Sequence, residues 1–266
     1  MSTFERERTT AIAAAREAGA IIKRYYEKPI EAVAKSDKGG GREENWLTQA
    51  DAESDDLLKD RLLTAFPTYG WLSEETRDSP ERLSRSRVWI DDPLDGTREF
   101  TLRVPEFCVC VALVENGKPV VAVEYNPATD RLYAAEIGCG TTLNGARAYV
   151  STQTAVAAAV VMASRSEDKR GEWDPFKPHC QVVLTGSVAF KLAELATGNG
   201  DATFTLTPKN EWDICAGTLL VEEAGGQVTG LDGKPLVFNQ ANPLRPGMIA
   251  SNRRLHAGLL RLIAEV

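Results

Sequence analysis

The spacing of apolar residues divides the chain into a helical beginning and a strand-rich middle. From Phe4 to about Tyr26, apolar residues recur every three to four positions, which predicts a long amphipathic helix. A second helix is predicted from about 50 to 66, where Pro67 ends it. From Val88 onward the pattern changes to short apolar runs, which are typical of strands.

The clearest strand signal is a hairpin. The apolar runs at 109–114 and 119–125 flank the sequence Glu-Asn-Gly-Lys, and Asn-Gly is the strongest short signal for a tight antiparallel turn. A further strand is predicted at 131–138, after a turn rich in Asn, Pro and Asp. Residues 1–150 are therefore predicted to form an α+β lobe with an antiparallel sheet.

The second half of the chain alternates between the two periodicities. A stretch rich in Ser, Thr and Ala at 151–159 is interpreted as the junction between lobes. Beyond it, strands are predicted near 160–164, 181–186 and 201–206, and helices near 188–196, 213–224 and 252–263. This alternation predicts an α/β lobe over residues 151–266.

Composition and charge narrow the class of protein. The chain is 43% hydrophobic and 26% charged, as in an ordinary globular protein, and its net charge is −7. An acidic surface repels phosphate backbones and anionic lipids, so neither a nucleic acid polymer nor a membrane is an expected partner. We find no apolar run of about 20 residues and no signal peptide at the N-terminus. The five cysteines form no Cys-x-x-Cys pair, which favours a reducing, cytoplasmic setting.

The most informative stretch is VWIDDPLDGTREF, residues 88–100. A buried strand is expected to deliver Asp92, Pro93 is expected to end strand pairing, and Asp95 follows. Two carboxylates and the Leu94 carbonyl would then converge, and hard cations such as Mg²⁺ take such oxygen ligands. An acidic turn with a helix cap would use the same residue types, so that alternative stays open.

The residues after this acidic pair open a predicted helical turn. Backbone N–H groups of Gly96 and Thr97 would offer an anion site there.

Acidic residues occur at similar places in three other segments. Asp51 stands at the start of the second predicted helix, Glu74 and Glu75 follow an apolar segment, and Asp213 opens a later helix. Each has an alternative interpretation as a cap or a solvated turn.

Taken together, these motifs identify a family. Glu74-Glu75, Asp92-Pro-Leu-Asp-Gly-Thr97, and Trp212-Asp213 with the Ala-Gly and Glu-Ala-Gly-Gly segments after it resemble the inositol monophosphatase family. Order and spacing match from the first helix to about Asn252. The resemblance implies a layered α/β/α/β/α sugar-phosphatase fold.

Shorter strings are similar to one branch of that family. Segments 97–100, 163–166, 185–191 and 233–236 are similar to those of the 3'(2'),5'-bisphosphate nucleotidases. That similarity implies hydrolysis of adenosine 3',5'-bisphosphate to AMP and phosphate. Two alternatives stay open: inositol-1-phosphate hydrolysis, and a non-catalytic metal- or nucleotide-binding relative. The complete acidic set with Thr97 speaks against the second, because a binding module needs no water-activating pair.

The resemblance also implies roles residue by residue. Two or three Mg²⁺ ions would be held by four carboxylates and one carbonyl: Glu74, Asp92, Leu94, Asp95 and Asp213. Asp51 and Thr97 would activate the attacking water. The substrate, a small phosphorylated molecule, would contact five residues: Gly96, Thr97, Gly186, Ser187 and Lys191. Family members often form homodimers, so a homodimer is expected.

Lys191 carries its own alternative. It follows the Gly186-Ser187 turn by a little over one helical turn, so its ammonium could reach an anion there. The alternative is a solvated helix lysine.

Some positions depart from the family pattern. Asp91 stands where an apolar residue is usual, the glycine-rich segment Lys38–Glu44 lengthens the active-site flap and leaves the position of a third metal open, and Glu167 replaces a common His. Neither His179 nor His256 is expected in catalysis, and the absence of a Gly-x-Ser-x-Gly motif argues against a covalent intermediate.

Overall fold

Two β-sheets alternate with layers of helices. The computed structural model describes residues 3–27, 33–34, 46–47 and 49–266. The helices are α1 (Glu5–Tyr26), α2 (Gln49–Ala65), α3 (Thr97–Thr101), α4 (Arg165–Lys169), α5 (Val188–Ala196), α6 (Glu211–Glu223) and α7 (Arg253–Glu265), with short 3-10 turns at Pro80–Ser84 and Val156–Ala158. The strands of the first half are β1 (Val33–Ala34), β2 (Trp46–Leu47), β3 (Gly70–Ser73), β4 (Arg87–Asp95), β5 (Cys108–Glu115), β6 (Lys118–Asn126), β7 (Arg131–Glu136), β8 (Gly140–Leu143) and β9 (Ala146–Arg147). Those of the second half are β10 (Val160–Ala163), β11 (Gln181–Leu184), β12 (Ala202–Thr205), β13 (Lys209–Asn210), β14 (Gly226–Thr229), β15 (Leu244–Arg245) and β16 (Met248–Asn252).

The first sheet has seven strands in the order β3-β4-β5-β6-β7-β8-β9. β3 runs parallel to β4, and every later pair is antiparallel. At the β5–β6 turn, Asn116 and Gly117 have φ values of 51° and 80°. A two-residue hairpin turn whose twist matches that of the flanking strands requires positive φ at both central residues. The predicted hairpin is confirmed.

The second sheet has five strands in the order β11-β10-β12-β16-β14. β10 runs parallel to β11 and β12, whereas β16 is antiparallel to both of its neighbours. Small two-stranded pairs, β1–β2 and β13–β15, complete the strand pairing among the described residues.

The core falls into three apolar groups that fix the layer order. α1 and α2 pack on the face of the first sheet that presents Trp89 and Val111. α5 and α6 lie between the sheets, against Ile90 on one side and Met248 on the other. α7 covers the outer face of the second sheet, where Phe204 is buried. This order is the expected α/β/α/β/α architecture, and the fold prediction is confirmed.

One predicted boundary is wrong. Pro93 was expected to end strand pairing, yet β4 continues to Asp95, which pairs with Cys108 after an irregularity that begins at Asp92. Proline lacks the N–H that a regular ladder needs, but its fixed φ suits extended backbone, so it occupies the irregular, unpaired position instead of stopping the strand.

The other predicted helices agree closely with the structure, with one informative shift. α6 begins at Glu211, two residues before the predicted start, because Asn210 caps it and its N–H donates to the Asp213 carboxylate at 3.0 Å. The glycine-rich segment Lys38–Glu44 lies outside the described residues. Within the described ranges, none of the helices combines the length and apolar character needed to cross a membrane.

Candidate functional site

Three carboxyl groups meet where β3, β4 and α6 converge. One carboxylate oxygen from each of Glu74, Asp92 and Asp213, here called the acidic cluster, lies within 4.8 Å of the other two. β3 and β4 are parallel, with Ser73 opposite Asp91, so the residues at their carboxyl ends emerge side by side. Asp213 joins them from the first turn of α6, which packs against β4.

Burial and, after it, the crowding of like charges both disfavour ionisation of this cluster. Burial raises the pKa of Asp92 well above its usual range, and the carboxylates of Glu74, Asp95 and Asp213 raise it further. Burial also raises the pKa of Asp213, with Asp95 and Glu74 adding to the effect. Because ionisation of these carboxyl groups is unfavourable without a partner, the cluster requires a positive counter-charge.

The acidic cluster fits a hard divalent cation. Oδ1 of Asp92 accepts a hydrogen bond from the Leu94 N–H at 2.9 Å, whereas Oδ2 is buried and has no hydrogen-bond partner among the described residues. Buried polar atoms in native proteins are almost always paired, and an unpaired one points to an ion or a water. Carboxylate oxygens are the ligands that Mg²⁺ and similar ions prefer.

Asp95 lies beside the acidic cluster and connects it to the start of α5. Its Oδ2 accepts hydrogen bonds from the Ala189 N–H at 2.7 Å and from the Ser187 hydroxyl. Burial raises the pKa of Asp95, and these two hydrogen bonds oppose that rise. Ser187 also caps α5 by accepting from the Phe190 N–H.

The turn after Asp95 requires glycine. Gly96 has a φ of 94°, and a Cβ there would come within 2.8 Å of the Glu106 carbonyl oxygen. α3 begins at the next residue, Thr97, whose hydroxyl donates to the Leu94 carbonyl at 3.1 Å. Asp51 is 2% exposed and lies in the first turn of α2.

Lys191 is buried, with 2% of its surface exposed, so its alternative interpretation as a solvated helix lysine is wrong. Burial lowers the pKa of its ammonium to about 8, and the Glu167 carboxylate opposes that shift. Lys209 reaches the same glutamate, with Nζ 3.5 Å from Oε1 of Glu167. Two ammonium groups therefore share one buried carboxylate.

Glu167 and Lys209 were not among the candidate site residues of the sequence analysis. Glu167 is 1% exposed and accepts hydrogen bonds from Thr205 at 2.6 Å and Trp173 at 3.2 Å. The position of Lys209, shortly before the Trp-Asp motif of α6, was the available sequence signal. Its contact with Glu167 on α4 could not be read from spacing.

The structure also describes Gly186, Asp91 and the two histidines that the sequence analysis discussed. The Gly186 N–H donates to the Glu106 carboxylate, so both predicted residues of this turn have partners within the protein. Asp91 is fully buried and lies on the face of β4 opposite to that of Asp92. Burial raises the pKa of Asp91, and the charge of Asp55 adds to this rise. His256 is buried on α7 and His179 is exposed.

Comparison with known proteins gives this geometry its context. The chain matches the inositol monophosphatase family over residues 5–266. An inositol-1-monophosphatase from Mesorhizobium japonicum is 33% identical over 262 residues, covering 96% of this chain and 94% of the relative. The Nus factor SuhB from Escherichia coli is 33% identical over 232 residues, covering 84% of each chain.

Solved structures agree. The inositol monophosphatase from Anabaena matches with a TM-score of 0.84 at 28% identity, covering 100% of this chain and 98% of that one. The suhB protein from Bartonella henselae matches with a TM-score of 0.82 at 28% identity, covering 96% and 97%. The relatives' names support the inositol phosphatase alternative better than the bisphosphate nucleotidase branch. The chain belongs to the inositol monophosphatase family, and it is a phosphoric monoester hydrolase.

Proposed function

We propose that this protein is a Mg²⁺-dependent phosphatase that hydrolyses inositol 1-phosphate. The observation that carries the proposal is the acidic cluster with its buried, unpaired Asp92 oxygen, in a chain whose relatives include proteins named inositol-1-monophosphatase. An all-oxygen set of carboxylates selects a hard cation, and a phosphate dianion could not approach these carboxylates without one.

The metal-holding residues proposed here are the acidic cluster together with Asp95 and the Leu94 carbonyl. When two or three Mg²⁺ ions are bound, they neutralise phosphate oxygens and lower the pKa of a bound water. The chain's own contribution is to hold these oxygen ligands in place: β4 fixes Asp92, and two hydrogen bonds from the start of α5 fix Asp95.

Asp51 and Thr97 are proposed to handle the proton of the attacking water. The Thr97 hydroxyl already donates to the Leu94 carbonyl, so its oxygen is left to accept a hydrogen bond from that water. Asp51, buried at the start of α2, would act as the general base. The water oxygen would then bond to phosphorus as the ester P–O bond breaks, and the leaving alkoxide would take a proton from solvent water to become the free alcohol. The N–H groups of Gly96 and Thr97 would orient the phosphate.

A second candidate substrate is a 3',5'-bisphosphate nucleotide. The observation that favours it is a pair of ammonium groups near the buried Glu167 carboxylate: the buried Lys191 and the partly exposed Lys209. The second, non-scissile phosphate of such a nucleotide would find complementary positive charge there. Inositol 1-phosphate has no second phosphate and carries only hydroxyls in its place.

Phosphate release from a substrate panel tests both candidates. The panel contains inositol 1-phosphate, adenosine 3',5'-bisphosphate and fructose 1,6-bisphosphate, each assayed with Mg²⁺. We expect the highest kcat/KM for inositol 1-phosphate, and a higher value for the nucleotide would establish the second candidate instead. Turnover that persists in excess chelator after dialysis would contradict the metal-dependent mechanism.

The expected homodimer also belongs to this proposal. Light scattering on the purified chain measures it directly, and a monomeric mass at assay concentration would contradict it.

A further inference from the structure

Two thiols and one carboxyl group face each other on adjacent strands of the first sheet. Cys108 and Cys110 alternate on β5, so their side chains point to the same face, and Glu124 lies directly opposite Cys110 on β6. All three side chains are at most 1% exposed, on the face of the sheet that packs against α5 and α6. We call them the thiol–carboxyl cluster.

The spacing of the ligand atoms matches a tetrahedral metal site. The two sulfur atoms are 3.9 Å apart, Cys108 Sγ is 4.0 Å from Glu124 Oε2, and one ligand atom from each residue lies within 4.8 Å of the others. Zinc bound to thiolates at about 2.3 Å with tetrahedral angles would place two sulfurs about 3.8 Å apart. The sulfurs therefore need almost no movement to take up an ion.

Glu124 supplies an independent observation. Its Oε1 is buried and has no hydrogen-bond partner among the described residues, and its Oε2 is approached only by the weak Cys108 thiol donor at 4.0 Å. Burying a carboxyl group without a partner costs free energy, and such a group in a native core points to a missing partner. The unpaired oxygen belongs to the residue that faces both thiols.

We infer that Cys108, Cys110 and Glu124 form a buried binding site for one thiophilic divalent cation such as Zn²⁺. Two sulfur ligands and one carboxylate select a softer ion than the all-oxygen acidic cluster does. Three protein ligands leave the fourth tetrahedral position for a water. The site is thus chemically distinct from the proposed Mg²⁺ site.

The position of the thiol–carboxyl cluster gives the ion a structural role. Cys110 pairs with Asp92 and Cys108 pairs with Asp95 across the β4–β5 ladder, so the site lies one strand away from two carboxylates that are predicted to bind metal. An ion there would join β5 to β6 at that point. Because the three ligands are enclosed, loading during folding in the cell is the expected route.

Metal analysis of the intact protein tests the inference. The full-length chain is produced in cells supplied with Zn²⁺ and dialysed against a chelator with excess Mg²⁺, which removes zinc from the all-oxygen acidic cluster. We expect one zinc per chain by elemental analysis, and X-ray absorption should show two sulfur neighbours at about 2.3 Å. Retained zinc with oxygen and nitrogen neighbours only, or no retained zinc, would overturn the inference.

Matched variants assign the ligands. Cys108→Ala and the isosteric Glu124→Gln should each lower zinc affinity at least about tenfold, because each removes one ligand. Cys215→Ala, which truncates another fully buried thiol, should retain zinc like the wild type. Circular dichroism confirms that each variant is folded, and Glu124→Gln covers the case in which a cysteine variant does not fold. Wild-type zinc retention in folded Glu124→Gln, or a Cys108–Cys110 disulfide found by thiol titration of the native protein, would contradict the site.

Discussion

The Oδ2 atom of Asp95 accepts a hydrogen bond from the Ala189 N–H at 2.7 Å, across 94 positions of sequence. Ala189 lies in the first turn of α5, where orphan N–H groups and the helix dipole favour a carboxylate. The link joins the end of β4 to a helix that packs between the two sheets. The start of α5 therefore helps to set the position of a residue proposed to bind metal.

The first prediction separates metal ligation from helix capping. Asp95→Asn and Asp213→Asn each remove one negative charge and keep the side-chain shape. Turnover of the preferred substrate should fall by on the order of 10²-fold, since a direct ligand matters at least as much as a residue that supports one. Steady-state kinetics at saturating Mg²⁺ measure the loss.

Asp232→Asn is the control for this pair. Asp232 lies in an exposed turn, is not part of the acidic cluster, and its carboxylate contacts Lys234. It should leave kcat unchanged. Wild-type turnover in folded Asp213→Asn would mean that this aspartate serves only to cap α6, where it accepts from the Asn210 N–H.

The second prediction concerns the buried ammonium group of Lys191. Lys191→Met keeps the length of the side chain and removes its charge. If the second phosphate of a bisphosphate binds there, kcat/KM for adenosine 3',5'-bisphosphate should fall by a factor equivalent to about 1.5–3 kcal/mol, the scale of a charge-assisted hydrogen bond. The value for inositol 1-phosphate should change little.

Lys118→Met, at an exposed position in the β5–β6 hairpin, is the matched control and should affect neither substrate. Equal small losses for both substrates in Lys191→Met would remove the residue-level support for a bisphosphate site.

The third prediction follows from the raised pKa values of Asp92 and Asp213 in the metal-free protein. Above about pH 3.8, the usual pKa of an aspartate, the unfolded chain has released protons that the folded protein still holds, so the contribution of these two groups to the free energy of unfolding falls as the pH rises. Bound Mg²⁺ favours the ionised forms and opposes that loss. Thermal unfolding should show a larger Mg²⁺-induced rise in Tm at about pH 8 than at about pH 5. A Mg²⁺ effect that is equal at both pH values would contradict this account.

Local patterns were sufficient to predict most of the fold. The three-to-four-residue spacing of α1 and the Asn116-Gly117 turn are short-range signals, and both predictions agree with the structure. The acidic positions could be named because the motif around Asp92 is contiguous. Their convergence with Glu74 followed only once β3 and β4 were known to be parallel neighbours.

The parts that sequence could not supply depend on contacts between distant elements. Three charged residues meet only when distant elements pack together: Lys191 on α5, Glu167 on α4 and Lys209 beside α6. Spacing alone could not distinguish a buried lysine from a solvated one. Asp213 shows a different limit. The capping and metal-binding interpretations were weighed as alternatives, yet one carboxylate accepts the Asn210 N–H and also stands in the acidic cluster.

The last prediction uses the two histidines as a matched pair. His256 is 3% exposed, and its ring nitrogens lie 2.9 Å from the hydroxyls of Thr229 and Ser251. Burial lowers its pKa below the usual 6.5, so the folded protein keeps it neutral while the unfolded chain takes up a proton below that pH. His256 should therefore lower the free energy of unfolding as the pH drops below about 6.5, with a contribution to the slope of at most about 1.4 kcal/mol per pH unit, opposite in sign to that of the buried aspartates. Denaturant unfolding between about pH 5 and 7.5 measures that slope. His256→Gln should flatten it, whereas His179→Gln at an exposed position should retain it. Equal slopes in the wild type and His256→Gln would show that acid destabilisation arises from other groups.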